Sequence, residues 1–323
     1  MDDLYDELHA EGLISDASLE MIRQKQDLFS VHWEVKTLLY LGVLLLTSGL
    51  GLLIYKNIDT IGHQAVLALI ALICIGCFAY CFRTCLPFST GRVKSPNTSF
   101  DYILLLGSIG FVTLVGYLQF AYTVFGTNYG LATLIPMLVL FFVAYYFDHL
   151  GILNMAIANL AVWMGVSVTP KQLLLNSDFN SETIIYTYLL LGIILLAGAY
   201  ITQYFNFKKH FKFSYQHYGV HVTFISLLAG YFFYYNSAFS LLWMLGLFTL
   251  AWFIYRDAFK NHSFYFLLLV ILYSYVAASS LVVRVLIIGE SIGAIYLMML
   301  YFIGSAIGLI FLLINLNKKL KAS

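Results

Sequence analysis

Charged side chains are scarce in this sequence. Asp, Glu, Lys and Arg make up 10% of its 323 residues, hydrophobic residues make up 61%, and the mean hydropathy is +0.86. A soluble domain of this length needs far more charge to cover its surface. The composition therefore excludes the ordinary soluble classes and predicts an integral membrane protein.

Catalytic and nucleotide-binding motifs are missing as well. The sequence contains no Walker A loop, GxSxG elbow, HExxH helix or dinucleotide-binding fingerprint. Carboxylates are nearly absent from the interiors of its long apolar segments, where an ion-coupled pump generally needs one. We therefore expect neither an enzyme nor a bound cofactor, and coupled transport is disfavoured.

What the sequence does contain is a series of long apolar segments. Ten of them are long enough to cross roughly 30 Å of hydrocarbon as helices. The predicted fold is an all-α polytopic transmembrane bundle of about ten spans, and nine or eleven spans stay open as alternatives. The predicted spans are 37–55, 64–83, 102–125, 128–147, 150–168, 184–205, 216–235, 238–255, 263–288 and 292–316.

Lysine and arginine are distributed unevenly between the two sides of these spans. With the N-terminus inside, 14 of the 17 Lys and Arg side chains fall in inner segments and 3 in outer ones. This positive-inside bias predicts a protein of the cytoplasmic (inner) membrane with both termini in the cytosol. The first apolar segment is expected to serve as an uncleaved insertion signal.

The first segment, residues 1–36, differs from the remainder in being polar and acidic. It carries 9 acidic and 3 basic side chains, a net charge of −6 within a chain whose net charge is +1. Such a charge repels nucleic acid, which excludes it as a partner. Leu4 and Leu8 lie one helical turn apart, and Gly12 and Ser15 fit the end of one helix and the cap of the next. We predict a cytosolic two-helix hairpin.

These boundaries divide the chain into three parts. The hairpin occupies 1–36, the transmembrane domain 37–316, and a basic cytosolic tail 317–323. Five spans on each side would permit inverted halves at 37–168 and 184–316. No convincing internal sequence match supports that division, so it stays open.

The beginning of the chain resembles a known family. "LHAEGLISDASLEMIRQ", followed by "LLYLGVLLLTSGLGLLIYKNIDTIG", is similar to predicted bacterial integral membrane proteins catalogued as a domain of unknown function, with a SHOCT-like Gly-Ile-Ser hairpin. Members usually carry Trp after the outer Asn, whereas Ile58 stands here. The resemblance covers roughly the first third of the chain and implies no activity. The matching positions are Gly12, Ile14, Ser15, Gly42, Gly49, Gly51 and Asn57.

A hairpin of this size is expected to pack on something else. About 25 residues bury too little apolar surface to be stable alone. It either caps the cytosolic end of its own bundle or docks a partner, and the sequence leaves both open. The docking side chains would be Leu4, Leu8, Leu13, Ile14 and Ile22.

A few polar side chains lie within or beside the predicted spans. Arg284, near the outer end of an apolar stretch, calls for a counter-charge such as Glu290 or Asp59. The neutral groups either hydrogen-bond between helices or line a polar pocket for a small ligand. The candidate ligand or pathway residues are Asn57, Asp59, Arg284, Glu290, Gln119, Asn154 and Asn159.

Small residues form two stripes that predict close helix packing. Gly42 and Gly49 share a face of the first span, and Gly304 and Gly308 share a face of the last. They serve contacts either within the bundle or between protomers. The four cysteines form a further stripe along the second span, which we interpret as small packing residues, with redox sensing or metal passage as the alternative. These are Cys74, Cys77, Cys81 and Cys85.

His217 and His221, one turn apart, are weak candidates for zinc ligands. A zinc site needs further ligands, and none lies nearby in the sequence. We therefore expect no metal.

These observations favour a non-catalytic membrane subunit, scaffold or sensor that docks a partner through the hairpin. The alternative is a transporter or channel for a small solute, lipophilic solutes included, and an intramembrane enzyme is the weakest hypothesis. The predicted partners are the lipid bilayer and either another protein or a second copy of the chain.

Overall fold

The computed structural model describes residues 15, 32–56, 62–168, 181–288 and 292–322. This part of the chain is helical and contains no β-strand, which confirms the all-α polytopic bundle. The predicted hairpin lies outside the described residues, apart from Ser15 and the start of the first helix.

Ten α-helices follow one another in the described residues, and a 3-10 turn at Lys209–Phe211 joins the sixth to the seventh. The predicted spans agree with them, and no helix end differs by more than six residues. The helices are α1 His32–Lys56, α2 His63–Thr84, α3 Thr98–Tyr122, α4 Tyr129–Phe147, α5 Leu150–Val168, α6 Glu182–Tyr204, α7 Lys212–Phe233, α8 Ser240–Lys260, α9 Phe264–Ile288 and α10 Ile292–Ala322.

The outer surface of the bundle is apolar, as a lipid-facing surface must be. Eight of the described helices are long and apolar enough to cross a membrane, and α1 contains a shorter apolar stretch at Thr37–Leu53. Large apolar side chains point outward, such as Leu72 at 68% and Phe120 at 77% exposure. Soluble monomers rarely present such continuous apolar surface. The protein is therefore an integral membrane protein.

Tight connections make successive helices antiparallel. Asp148 lies between α4 and α5 with φ 60°, in the left-handed region that only a few non-glycine residues tolerate. The amide of His149 donates to the carbonyl of Ala144 (3.0 Å), which closes the end of α4. The chain thus reverses within two residues.

Basic side chains gather at one end of the bundle, which we call the basic end. It carries the α2–α3, α4–α5, α6–α7 and α8–α9 connections. The described part of the opposite end holds only Lys56 and Arg284. The basic side chains described at the basic end are Arg83, Arg92, Lys94, Lys208, Lys209, Lys212, Arg256, Lys260, Lys318 and Lys319.

The closest contact between helices in the described chain joins α6 to α7. A Cβ at Gly192 of α6 would lie 2.2 Å from Thr223 Oγ1 and 2.8 Å from the Thr223 backbone nitrogen. A Cβ at Gly219 of α7 would lie 3.0 Å from the Leu196 backbone nitrogen. Each helix therefore contributes one glycine that lets the other backbone approach.

Two apolar clusters form the interior, and α6 and α7 belong to both. One cluster includes Leu104 of α3, Leu153 of α5 and Leu195 of α6. The other includes Phe224 of α7, Leu247 of α8 and Leu267 of α9. The α6–α7 pair thus lies between the two clusters and contributes side chains to both. The division into 37–168 and 184–316 stays a prediction.

The first and last helices lie at the periphery. None of the described α1 side chains is buried, and only Tyr40, Val43 and Thr47 are half-buried. These three form the stripe that faces α3, where the Tyr40 and Tyr102 rings meet at 5.2 Å. In α10 the glycines at 304 and 308 likewise have nothing within 4 Å of a built Cβ. Most of the described side chains on the remaining faces of these two helices are exposed.

We predict that Gly192→Ala lowers the stability of the purified protein, because its methyl group collides with backbone atoms of α7. Overpacking of this kind costs about 1–3 kcal/mol. Gly42→Ala is the matched control, since a Cβ there meets nothing within 4 Å. Thermal unfolding in detergent would measure both, and equal melting temperatures would contradict the close α6–α7 contact.

Candidate functional site

A buried ion pair lies at the basic end. Lys208 Nζ is 3.1 Å from Asp148 Oδ2, and both side chains have 0% exposure. Asp148 occupies the α4–α5 turn, and Lys208 precedes the 3-10 turn that leads into α7. Asp148 and Lys208 have positive φ angles of 60° and 49°. Each of the two residues is therefore held in a backbone conformation that is unfavourable for a side chain of this kind.

Two further groups donate to the same carboxylate. The His210 ring nitrogen Nε2 hydrogen-bonds Asp148 Oδ1, and the amide of Val93 donates to Oδ2 at 2.5 Å. The Lys208 amide donates to the Thr90 carbonyl at 2.8 Å. Asp148 thereby ties the α2–α3 loop and the α6–α7 connection to the α4–α5 turn.

A second carboxylate, Asp101, lies in the first turn of α3 beside this network. It accepts a hydrogen bond from the Ser95 hydroxyl (2.5 Å) and lies 3.8 Å from His149 Nε2. The other ring nitrogen of His149 accepts the amide of Ile152 at 3.2 Å. That bond places the proton of a neutral ring on Nε2, facing Asp101. His149 therefore caps α5 and contacts α3 at once.

The network explains how ionised groups are tolerated here. Moving a charge out of water costs several kcal/mol, which an ion pair offsets only when its geometry is good and further hydrogen bonds are made. Besides its ion pair with Lys208, Asp148 has hydrogen bonds with Val93 and His210. Lys208 Nζ makes no hydrogen bond among the described residues but lies 5.1 Å from the centre of the Phe88 ring. We call this set the charge network: Asp101, Asp148, His149, Lys208 and His210.

A polar cleft of about 210 Å³ opens beside the charge network. Tyr40 of α1, Arg92 and Lys94 of the α2–α3 loop, and Gly151 of α5 are among its lining residues. With Asp101 of α3, residues of three helices and the α2–α3 loop therefore meet around a polar space at the basic end.

Sequence reasoning missed the charge network. It searched the interiors of the spans for carboxylates, and the described helices indeed have none between their first and last turns. Asp148 instead lies in a turn, and its partner Lys208 is distant in sequence. The sequence feature that could have indicated the site is Asp148 itself, an acidic residue in the two-residue turn between two apolar helices. That feature does not indicate which residue pairs with it.

A smaller network joins α7 to α8 at the same end. Lys212 Nζ lies 3.5 Å from Asp257 Oδ2, with the two side chains 15% and 17% exposed. Gln216 Nε2 donates to the same oxygen at 3.0 Å. This pair remains in contact with solvent, unlike the pair of Asp148 and Lys208.

Among the residues predicted from sequence, Arg284 has partners that had not been foreseen. Its Nη1 donates to the Ser240 hydroxyl at 2.7 Å. Its guanidinium carbon lies 4.8 Å from the centre of the Tyr235 ring and 5.9 Å from that of Tyr231. Aromatic faces and a hydroxyl thus stabilise the cation. The proposed counter-charges, Asp59 and Glu290, lie outside the described residues, as does Asn57.

Nearby, Glu182 at the start of α6 accepts a hydrogen bond from the Tyr234 hydroxyl at 2.5 Å. Hydrogen bonding to this carboxylate, followed by desolvation, raises the pKa of Tyr234 above its usual value. At the opposite end, the described contacts of Glu182 and Arg284 are therefore with hydroxyl groups and aromatic rings.

The three neutral candidates make separate contacts in the described part of the chain. Gln119 supports the α3–α4 loop, accepting from the Phe125 amide (3.0 Å) and donating to the Gly126 carbonyl (2.9 Å). Asn154 lies at the other end of the bundle, in the second turn of α5, and its Oδ1 is buried without a hydrogen bond among the described residues. Asn159 donates to the Met155 carbonyl of its own helix. A shared ligand pocket for these residues stays a prediction.

The histidine pair is engaged by tyrosines. Tyr265 Oη lies 2.6 Å from His217 Nδ1 and 3.4 Å from His221 Nε2, and Tyr273 Oη lies 2.8 Å from His221 Nδ1. The described residues contain no group of three His, Cys, Asp or Glu that could hold a metal ion. Both rings therefore hydrogen-bond to tyrosine hydroxyls, and His217 also stacks on the Phe213 ring.

The cysteine stripe packs against glycines of α3. A Cβ at Gly107 would lie 2.9 Å from Cys77 Cβ, and one at Gly110 would lie 2.8 Å from Cys74 Sγ. All four thiols are free, and Cys81 is completely buried. These contacts agree with the interpretation of cysteine as a small packing residue, including at Cys85 beside the α2–α3 loop.

The remaining predicted positions divide into two groups. At Gly42, Gly49, Gly304 and Gly308 a built Cβ has no atom of the described chain within 4 Å, so contacts between protomers stay a prediction. The docking residues lie outside the described residues. These are Leu4, Leu8, Leu13, Ile14 and Ile22.

Comparison with known proteins identifies a family for part of the chain. Residues 6–153 match the model of a family described as "Predicted membrane protein (DUF2157)". This match confirms the resemblance to a family of predicted membrane proteins of unknown function. No curated protein and no solved structure matches the chain.

We predict that Asp148→Asn strongly destabilises the protein, since it leaves Lys208 buried without a counter-charge. Breaking one side of a buried pair costs about 3–5 kcal/mol. Asparagine tolerates positive φ, so the change tests the charge and not the backbone. Asp257→Asn is the control, because its partly exposed pair with Lys212 is expected to contribute about 1 kcal/mol or less.

Chemical unfolding in detergent, with Asp148→Asn, Lys208→Met and the double variant, would measure the coupling. The double variant should be more stable than Asp148→Asn alone. Equal losses for Asp148→Asn and Asp257→Asn would contradict the structural role of the buried pair.

Proposed function

We propose that the protein is a non-catalytic subunit, scaffold or sensor of the cytoplasmic membrane, with both termini in the cytosol. The positive-inside rule supports this orientation, because the basic side chains gather at the end where α1 begins and α10 finishes. In this orientation the acidic segment 1–31 faces the cytosol. A net charge of −6 in 1–36 makes nucleic acid an unfavourable partner.

The observation that carries the proposal is the weak attachment of α1. Its half-buried side chains are Tyr40, Val43 and Thr47, and no described side chain of α1 is buried. The other described side chains of the helix that bears the acidic segment are exposed in the described part of the chain. A partner that binds the acidic segment can also reach α1 without displacing another helix of the bundle.

The charge network supports the same proposal from another direction. Its ionised groups bind one another and hold three connections in place, so they act as structural groups. The described helices carry no carboxylate between their first and last turns, where an ion-coupled transporter generally needs one. These features favour a scaffold whose charged groups have structural roles over a protein that conducts ions.

The partner suited to the acidic segment is a protein with a basic surface and an apolar groove. Opposite charge speeds association and selects the partner, while apolar side chains supply affinity. Leu8 lies among acidic residues and is the apolar position that we would change first.

We expect Leu8→Asp to abolish association with such a partner while the membrane domain inserts and unfolds as before. Wild type, Leu8→Asp and a variant lacking residues 1–31 would be gently extracted from native membranes. Proteins that co-purify would be identified by mass spectrometry and then rebound to the purified, reconstituted wild type.

Asp3→Asn is the control, because it changes another residue of the same segment and leaves Leu8 in place. A partner retained by wild type and Asp3→Asn, and lost by the other two, supports docking. If the same proteins are bound with and without residues 1–31, the docking function is wrong, and solute transport becomes the first hypothesis.

A further inference from the structure

The polar cleft at the basic end has features that the charge network does not use. Arg92 and Lys94 line it, both are exposed, and neither has an ion-pair partner among the described residues. Between them, the Val93 amide is bound to the buried Asp148 at 2.5 Å. That bond fixes the backbone between Arg92 and Lys94, so both cations start from an anchored position beside the cleft.

The start of α5 adds backbone donors to the same cleft. Leu150 and Gly151 line it in the first turn of a 19-residue helix, and no acceptor for either amide lies among the described residues. The next amide, that of Ile152, is already bound by His149. Free first-turn amides and the positive end of the helix dipole both favour an anion.

The two carboxylates at the cleft have partners of their own. Asp148 is bound by Lys208, His210 and Val93. Asp101 accepts from Ser95 and faces His149. Asp148 is thus paired inside the protein and Asp101 has polar contacts of its own, whereas no described residue forms an ion pair with Arg92 or Lys94. Among the described residues, these two cations at the cleft are left without a counter-charge.

We propose that this cleft binds a phosphate group. Its volume of about 210 Å³ equals that of about seven water molecules at ~30 Å³ each, enough for a phosphate and part of its substituent. Arginine binds two phosphate oxygens with its planar fork, lysine adds a point charge, and the α5 amides approach from another side. The phosphate belongs either to the headgroup of an anionic phospholipid or to a soluble phosphate compound. Both offer the same phosphate oxygens to the cleft.

The test uses purified full-length protein in detergent micelles and follows thermal unfolding. One series adds phosphatidylglycerol, with phosphatidylcholine as reference, and a second adds inorganic phosphate, with sodium chloride at equal ionic strength as reference. The wild type should be stabilised in at least one series. Arg92→Gln/Lys94→Gln should weaken the apparent affinity about tenfold or more, as expected from the loss of charge-assisted hydrogen bonds.

Lys318→Gln/Lys319→Gln is the matched control, because it removes two adjacent exposed cations at the same end of the bundle but outside the cleft. It should keep the wild-type affinity, and Arg92→Lys/Lys94→Arg should restore most of it. If the double variant does not fold, the single variants Arg92→Gln and Lys94→Gln are measured in its place, and each should bind more weakly than the wild type.

The two series identify the source of the phosphate. Stabilisation by phosphatidylglycerol alone assigns a lipid headgroup, and saturable stabilisation by inorganic phosphate assigns a soluble ligand. No stabilisation of wild type in either series would overturn the proposal. An equal loss in the Lys318→Gln/Lys319→Gln variant would also overturn it, since the effect would then be general attraction of a basic surface.

Discussion

The buried pair of Asp148 and Lys208 is the constraint on which the basic end depends. Neither charge is exposed, so each must be compensated by groups that the chain brings to it. Those groups come from the α2–α3 loop and the α6–α7 connection, through Val93 and His210. The pair forms only when three connections occupy their positions together. A local ionic contact therefore fixes the relative placement of helices α2 to α7.

The α6–α7 crossing is the second constraint, and it explains how a comparatively polar helix lies within the bundle. Gly192 and Gly219 bring the two backbones together, which shields α7 from lipid. Its buried hydroxyls bond to its own carbonyls, as Thr223 does to Gly219 at 2.6 Å, and His221 bonds to Tyr273. These two polar side chains of α7 thus find partners in their own helix or in a tyrosine hydroxyl.

The sequence predicted the helices well because the bilayer imposes a length of about 20 apolar residues on each span. The ends of α4, α5 and α9 adjoin turns or breaks in the apolar pattern, and their predicted bounds agree closely with the structure. The charge network could not be predicted in the same way. Pairing Asp148 with Lys208 requires knowing which connections meet, and periodicity carries no such information. In addition, carboxylates were expected to matter inside the spans, whereas in the described helices they lie at the ends.

This placement bears on the kind of function that the bundle can support. Ionised groups at the basic end hold connections together, and at the opposite end Arg284 is held by Ser240 and the Tyr235 ring. Between the two ends, the described helices present neutral and apolar side chains. A shift of these connections would separate the charges of Asp148 and Lys208, which are paired in this structure. The surfaces that we propose to bind partners are the exposed faces of α1 and the cation-lined cleft. Both lie outside the packed core, and both can take a partner without any change in the bundle.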